Sequence, residues 1–183
     1  MPFAKTGHYT IKDIYALPDG QRAELINGQI YNMAPPGRIH QELVSQFVKL
    51  LGGYIDVHKG NCKVYPAPFA VFLEKSQKNY VEPDVSVICD SSKLTDKGCS
   101  GSPDIIVEIV SPSSRKIDYI IKNALYEDAG VREYWIVDPQ KETTVVYRFE
   151  EDVAPTIYPF DVSISFGIFP ELTIMISKLL EQF

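Results

Sequence analysis

The order of elements in this sequence predicts a mixed β-sheet flanked by helices, an α/β (α+β) fold in a single domain over residues 1–183. Three observations lead there. Residues 104–138 read as strand, helix, strand, a unit whose right-handed crossover makes its two strands parallel. The segments before and after it read as hairpins, which are antiparallel. An amphipathic helix near residues 39–55 supplies a cover for one face of such a sheet.

A chain of 183 residues is long enough to bury one real core. Apolar content of 45% and charged content of 23% are those of an ordinary globular protein. No apolar run approaches the ~20 residues of a membrane span, and the N-terminus lacks the basic-then-apolar layout of a leader peptide, so no membrane association is expected. The three cysteines, Cys62, Cys89 and Cys99, are an odd count without CxxC spacing. Neither a disulfide framework nor a zinc site is expected, which suits a reducing, cytoplasmic location. A net charge of −6 and a pI of about 5.1 argue against a protein that coats nucleic acid generally. They leave room for a local basic groove, or for acidic metal ligands.

Taken in order, Thr10 caps a short helix over 11–16, which stops near Pro18. Residues 22–26 and 29–33 alternate around Asn27-Gly28, a strong hairpin signal, because both turn positions need positive φ. Glu24 lies on the first of these strands. Ala34-Pro35-Pro36-Gly37 then breaks the chain. Ile39, Leu43, Phe47, Leu50, Leu51 and Tyr54 recur at helical spacing, with His40 and Gln41 in the first turn and Gly52-Gly53 weakening the far end. Residues 62–65, 69–74 and 84–88 read as strands, the last opened by Pro83-Asp84, and residues 90–102 as a polar loop with room for one helical turn. The strand at 104–110 is followed by a helix over 117–129 with Ile117, Ile120, Ile121, Ala124 and Leu125 as its buried stripe and Gly130 as its stop. A strand at 133–138 pairs through a four-residue connection with 143–149. Residues 156–160 and 162–165 are weaker strands, and 174–183 a closing helix.

One residue breaks the pattern. In Pro103-Asp-Ile-Ile-Val-Glu-Ile-Val-Ser-Pro112, Glu108 interrupts an apolar strand and shares its face with Ile106 and Val110. An unpaired buried carboxylate costs several kcal/mol even after relaxation, roughly. The plain alternative is a sheet-end glutamate paired with Arg or Lys. The sharper reading is that a metal ion or a catalytic lysine meets it. Asp84 opens a strand of the same sheet, and Lys122 lies on the next helix. Carboxylates with backbone carbonyls and waters form the oxygen-rich site that Mg²⁺ or Mn²⁺ prefers, and a lysine beside them can orient water or stabilise developing charge. The competing readings are an Asp84 that merely caps a turn and a Lys122 that pairs with Asp118 on the surface.

The segments E-L-I-N-G-Q-I, E-P-D-V-S-V-I, P-D-I-I-V-E-I-V-S-P-S-S and D-Y-I-I-K-N-A-L-Y-E-D-A-G-V-R-E-Y-W-I-V-D-P resemble the Uma-type restriction endonucleases, a large bacterial family within the PD-(D/E)XK nuclease superfamily. The resemblance runs from about residue 10 to the C-terminus. It implies a restriction-endonuclease-like fold and a metal-dependent endonuclease. Asp84 then takes the place of the first acidic ligand and Glu108 that of the acid that follows. The superfamily's usual lysine position is Val110 here, and Lys122 takes the lysine's place from the following helix. Glu24 matches as an accessory ligand, and His40 matches a family position without an evident role. Asp104, although preceded by proline, reads as a strand-start residue.

The resulting expectation is Mg²⁺- or Mn²⁺-dependent hydrolysis of phosphodiester bonds in nucleic acid, DNA foremost, with metal at Asp84, Glu108, the Ile109 carbonyl and Glu24. Asp84, Glu108 and Lys122 form the catalytic set. A homodimer would suit double-strand cutting. The first rival is an inactive module of the same fold that binds nucleic acid or protein; the second is a hydrolase with paired carboxylates and another substrate. No nucleophile elbow, phosphate-binding glycine loop or histidine metal spacing is present. Trp135 reads as core. Arg115 and Lys116 are either phosphate contacts or solvated loop charge.

Overall fold

The computed structural model describes residues 4–5, 7–73, 77–151 and 153–181, with backbone alone for the first two. Its centre is a six-stranded sheet. In chain order the strands and helices are β1 (Ala4–Lys5), α1 (Ile11–Tyr15), β2 (Ala23–Ile26), β3 (Gln29–Asn32), α2 (Arg38–Val57), β4 (Lys63–Pro66), β5 (Val71–Phe72), β6 (Val85–Ile88), β7 (Leu94–Thr95), β8 (Gly98–Ser100) and β9 (Ile105–Ile109). A π-helical turn (Ile117–Lys122) leads into α3 (Asn123–Asp128), followed by β10 (Glu133–Asp138), β11 (Thr143–Arg148), β12 (Thr156–Pro159), β13 (Ile164–Ser165), β14 (Thr173–Ile174) and α4 (Ile176–Leu180).

The central sheet runs β12-β11-β10-β9-β6-β4. β9 and β10 are parallel, as the crossover requires, and every other neighbouring pair is antiparallel. β9 is buried along its whole length because helices cover both faces. Ile105, Val107 and Ile109 pack with Leu43, Phe47 and Leu51 of α2 and with Trp135, which is core as expected. Ile106 and Val110 pack on the other face with Leu125, Tyr126 and Tyr134. Period-two alternation therefore aims Glu108 at the π turn and α3.

The N-terminal hairpin forms where Asn-Gly predicts it, with φ of 51° at Asn27 and 75° at Gly28. Its β2 strand bonds to the segment before β6 through reciprocal backbone hydrogen bonds between Leu25 and Tyr80, both 2.8 Å. Helix α1 starts at Thr10, whose amide donates to Asp13 at 2.7 Å.

Several details differ from the sequence reading. Helix α2 runs through Gly52-Gly53 to Val57, because Leu51 and Ile55 are buried on either side of the pair. The strand expected over 69–74 shortens to β5, and Glu74 lies outside the described residues, as do 182 and 183 of the closing helix. The polar stretch 90–102 holds a 3₁₀ turn and the β7–β8 hairpin, packed against β5. Gly98 makes that possible: at φ 131° a Cβ would lie 2.1 Å from the Ala70 carbonyl.

The helix after β9 buries a different face from the one expected. Ile120 is 61% exposed and Ala124 is exposed, whereas Ile117, Asp118, Lys122, Leu125 and Tyr126 are buried. The wider i→i+5 turn keeps positions 118, 122 and 126 in line and rotates the α-periodic stripe outward.

The cysteine expectation is also corrected. Cys62 and Cys89 form a disulfide. They extend the β4–β6 ladder by one step past Lys63 and Ile88, a proximity that spacing along the chain does not reveal. Cys99 is free and buried. Among the described residues no helix is long and apolar enough to cross a membrane.

Candidate active site

One end of the central sheet opens into a cleft of about 780 Å³. Three elements deliver carboxylates to it from the sheet side. β6 begins where antiparallel β9 ends, and the pairing of Val85 with Val107 puts Asp84 opposite Glu108 one step further on. β2 brings Glu24. The π turn adds Asp118 and Lys122, and Pro35-Pro36-Gly37 turns the chain so that the first turn of α2 brings His40.

Lys122 sits at the centre. Its Nζ lies 2.8 Å from Glu108 Oε1, 2.9 Å from Glu24 Oε2 and 3.8 Å from Asp118 Oδ1. None of these four side chains belongs to a residue more than 4% exposed. Tyr126 donates its hydroxyl to Glu108 Oε1 at 2.7 Å, and the Glu82 amide donates to Glu24 Oε1 at 3.0 Å. Asp84 stands slightly apart. The Ile109 amide donates to its Oδ2 at 2.7 Å, and His40 Nε2 approaches the same oxygen at 3.1 Å.

The electrostatics follow from burial. Burial pushes the Glu108 carboxyl well above the usual carboxylate range; Lys122 opposes this, and Asp84, Asp118 and Glu24 reinforce it. Burial likewise pushes Asp118 up to about 6, again against the pull of Lys122. For Lys122, burial alone favours the neutral amine, but Glu108, Glu24 and Asp118 outweigh it and hold the pKa well above the usual value. The ammonium is therefore permanent. At His40 burial lowers the pKa, and the Asp84 carboxylate more than compensates.

Four carboxyl groups thus face one ammonium and one imidazole in the cleft. The donor set is hard oxygen with an excess of negative charge, the chemistry that Mg²⁺ or Mn²⁺ satisfies. In its chemistry the donor set fits a divalent cation, although among the described residues no three His, Cys, Asp or Glu side chains are grouped so as to hold a metal ion.

All the singled-out residues, Asp84, Glu108, Ile109, Lys122, Glu24 and His40, line this cleft. From the sequence Asp118 reads only as a surface partner of Lys122; the pair forms at 3.8 Å but is buried in the cleft. Tyr126 was not foreseen, and its i, i+4 spacing from Lys122 is legible only once the buried face of this segment is known. Asp104 lies at the opposite end of β9, where it accepts from the Cys89 amide at 2.7 Å and pairs with Arg132 at 3.4 Å. Arg115 is engaged by the buried Asp138 and by Gln140 at 2.9 Å, so it is not free loop charge. Glu82 also lines the cleft; it pairs with Arg22 and accepts the Tyr80 hydroxyl at 2.6 Å.

Comparison with known proteins adds three findings. The family model described as "Uma2: Putative restriction endonuclease" matches residues 11–177. Two Synechocystis proteins are similar, described as uncharacterized protein slr1290 and uncharacterized protein sll1609. The first is 26% identical over 133 residues, covering 72% of this chain and 68% of its own. The second is 25% identical over 121 residues, covering 64% and 67%. The crystal structure of "a putative nuclease belonging to DUF820" from Anabaena variabilis superimposes with a TM-score of 0.77 at 20% identity, over 94% of this chain and 97% of that one. That likeness shows the fold: a mixed sheet flanked by helices, as the sequence predicts.

Proposed function

The chain belongs to the Uma2 restriction endonuclease family, and from that premise we propose that it is a divalent-metal-dependent endonuclease that hydrolyses phosphodiester bonds in nucleic acid, DNA foremost. The observation that carries the reading is the cleft, in which Asp84, Glu108, Glu24 and Asp118 gather around Lys122.

In this reading Asp84, Glu108 and the Ile109 carbonyl hold Mg²⁺ or Mn²⁺. The bound cation supplies a Lewis acid for the phosphate and lowers the pKa of water. Glu24 is accessory, since its Oε1 accepts from Glu82 and its Oε2 is engaged by Lys122. Lys122, kept charged by its carboxylate neighbours, stabilises the charge that develops on the phosphate oxygens. Glu24, Glu108, Asp118 and Lys122 are buried, and the low polarity around them strengthens their interactions.

Supercoiled plasmid incubated with Mg²⁺, Mn²⁺ or EDTA tests the proposal. Wild type nicks it with metal only, and Asp84→Ala and Glu108→Ala do not, while both retain a cooperative thermal transition. Lys122→Ala loses about a hundredfold or more in rate and keeps its metal affinity, because its contribution lies in the transition state. Wild type that never nicks while binding DNA would favour the inactive module, for which the close engagement of Glu108 by Lys122 is the supporting observation.

A further inference from the structure

We propose that His40 is the positioning residue for Asp84: the Nε2–H of its imidazole fixes the carboxylate so that one oxygen is committed to the protein and the other is left to the cleft. This rests on the nuclease reading of the same site.

A carboxylate facing a ring nitrogen can only accept, so Nε2 carries the hydrogen. Its contact with Asp84 Oδ2 is 3.1 Å. The other donor to that oxygen is the Ile109 amide at 2.7 Å. The two donors come from different layers, His40 from the first turn of α2 and Ile109 from the end of β9. Asp84 itself precedes the first residue of β6, where the ladder does not yet constrain it. The Ala67 amide donating to its carbonyl at 3.1 Å fixes its backbone but not its χ2, which for aspartate is broad and roughly two-fold. One donor leaves a carboxylate free to swivel about that contact; a second donor from another direction sets its plane. Both converge on Oδ2, so Oδ1 is the oxygen left for the cleft that Asp84 lines.

The remaining features of the ring agree. Nδ1 is buried without a hydrogen-bond partner among the described residues. The ring also interacts polarly with the Ile109 backbone, which brings it beside another proposed oxygen donor. Partners of this kind that orient a ligand cost about 10–100-fold in metal affinity or activity when removed.

The test compares wild type with His40→Leu, which keeps bulk and loses the donor, and with His40→Gln, whose amide nitrogen can reach where Nε2 does. Three quantities are read: the side-chain carboxyl resonance of Asp84 in ¹³C-labelled protein, Mn²⁺ affinity by calorimetry, and kcat against KM on plasmid. In the leucine variant the Asp84 carboxyl resonance shifts, Mn²⁺ affinity falls about tenfold or more, and kcat falls while KM holds; the glutamine variant recovers all three toward wild type. An unmoved Asp84 carboxyl resonance with wild-type Mn²⁺ affinity in His40→Leu overturns the proposal. So does equal impairment of the leucine and glutamine variants, which marks a packing role, and so does a rise in KM alone, which marks a substrate contact. If wild type neither binds Mn²⁺ nor cleaves, the nuclease reading falls by itself, and the Asp84 carboxyl resonance still decides whether His40 holds Asp84.

Discussion

At the scale of single residues the site is an argument about unbalanced charge. Lys122 faces Glu108, Glu24 and Asp118 within 3.8 Å, and burial lifts the pKa of Glu108 and of Asp118. For Asp118 the consequence has a definite sign. Its folded pKa of about 6 exceeds its ordinary 3.8, so the folded chain binds this proton more tightly than the unfolded chain. Its contribution to stability is fully present below pH 3.8 and is lost as pH rises through about 6. Urea unfolding in EDTA between these limits should therefore show a steeper fall of stability with pH in wild type than in Asp118→Asn. The difference should be at most about 3 kcal/mol, from 1.36 kcal/mol per pKa unit. Equal slopes would mean that Asp118 is ionised throughout. The sequence pointed to Glu108 because a carboxylate stood out in an apolar strand. It gave no such mark to Asp118, which on a helix of unknown face looks like half of a surface ion pair.

At the scale of elements the π turn decides which face of the post-β9 helix enters the core. Ile120→Ala, at a position 61% exposed, should change stability by less than ~0.5 kcal/mol. Leu125→Ala, at a position 7% exposed, should cost about 2–5 kcal/mol. Denaturant melts of the two variants check this, and a large loss at Ile120 would restore the ordinary α-helical face. The hairpin at Asn27-Gly28, helix α2 and the parallel β9–β10 pair were legible, because each has a strong local or periodic signature. The π turn was not, since nothing in I-D-Y-I-I-K announces i→i+5 bonding and apolar residues occupy both candidate faces. The β7–β8 hairpin was not legible either; two- and three-residue strands inside a polar stretch leave no alternation to read.

At the scale of the whole molecule, the sheet has a cleft end, where Asp84 and Glu108 meet, and a stapled end, where Cys62 and Cys89 join β4 to β6. The sequence carried both cysteines but not the register that pairs them. Closing a loop across a separation of 27 residues stabilises by about 3.5 kcal/mol in the chain-entropy picture. Reduction should lower wild-type stability toward that of Cys62→Ser, which itself should not respond to reductant; wild type indifferent to reductant would remove the staple. The central claim, that the carboxylate cluster is a cation site, is tested most directly by a melting series of wild type and Glu108→Gln, each in EDTA and in Mg²⁺. Without Glu108's charge, Lys122 keeps Glu24 at 2.9 Å and Asp118 at 3.8 Å, so in EDTA the variant should be as stable as wild type or more so. Mg²⁺ should stabilise wild type by roughly 2.7 kcal/mol at a hundred times Kd and the variant much less. A Glu108→Gln protein that melts well below wild type in EDTA, with neither protein responding to Mg²⁺, would contradict the account.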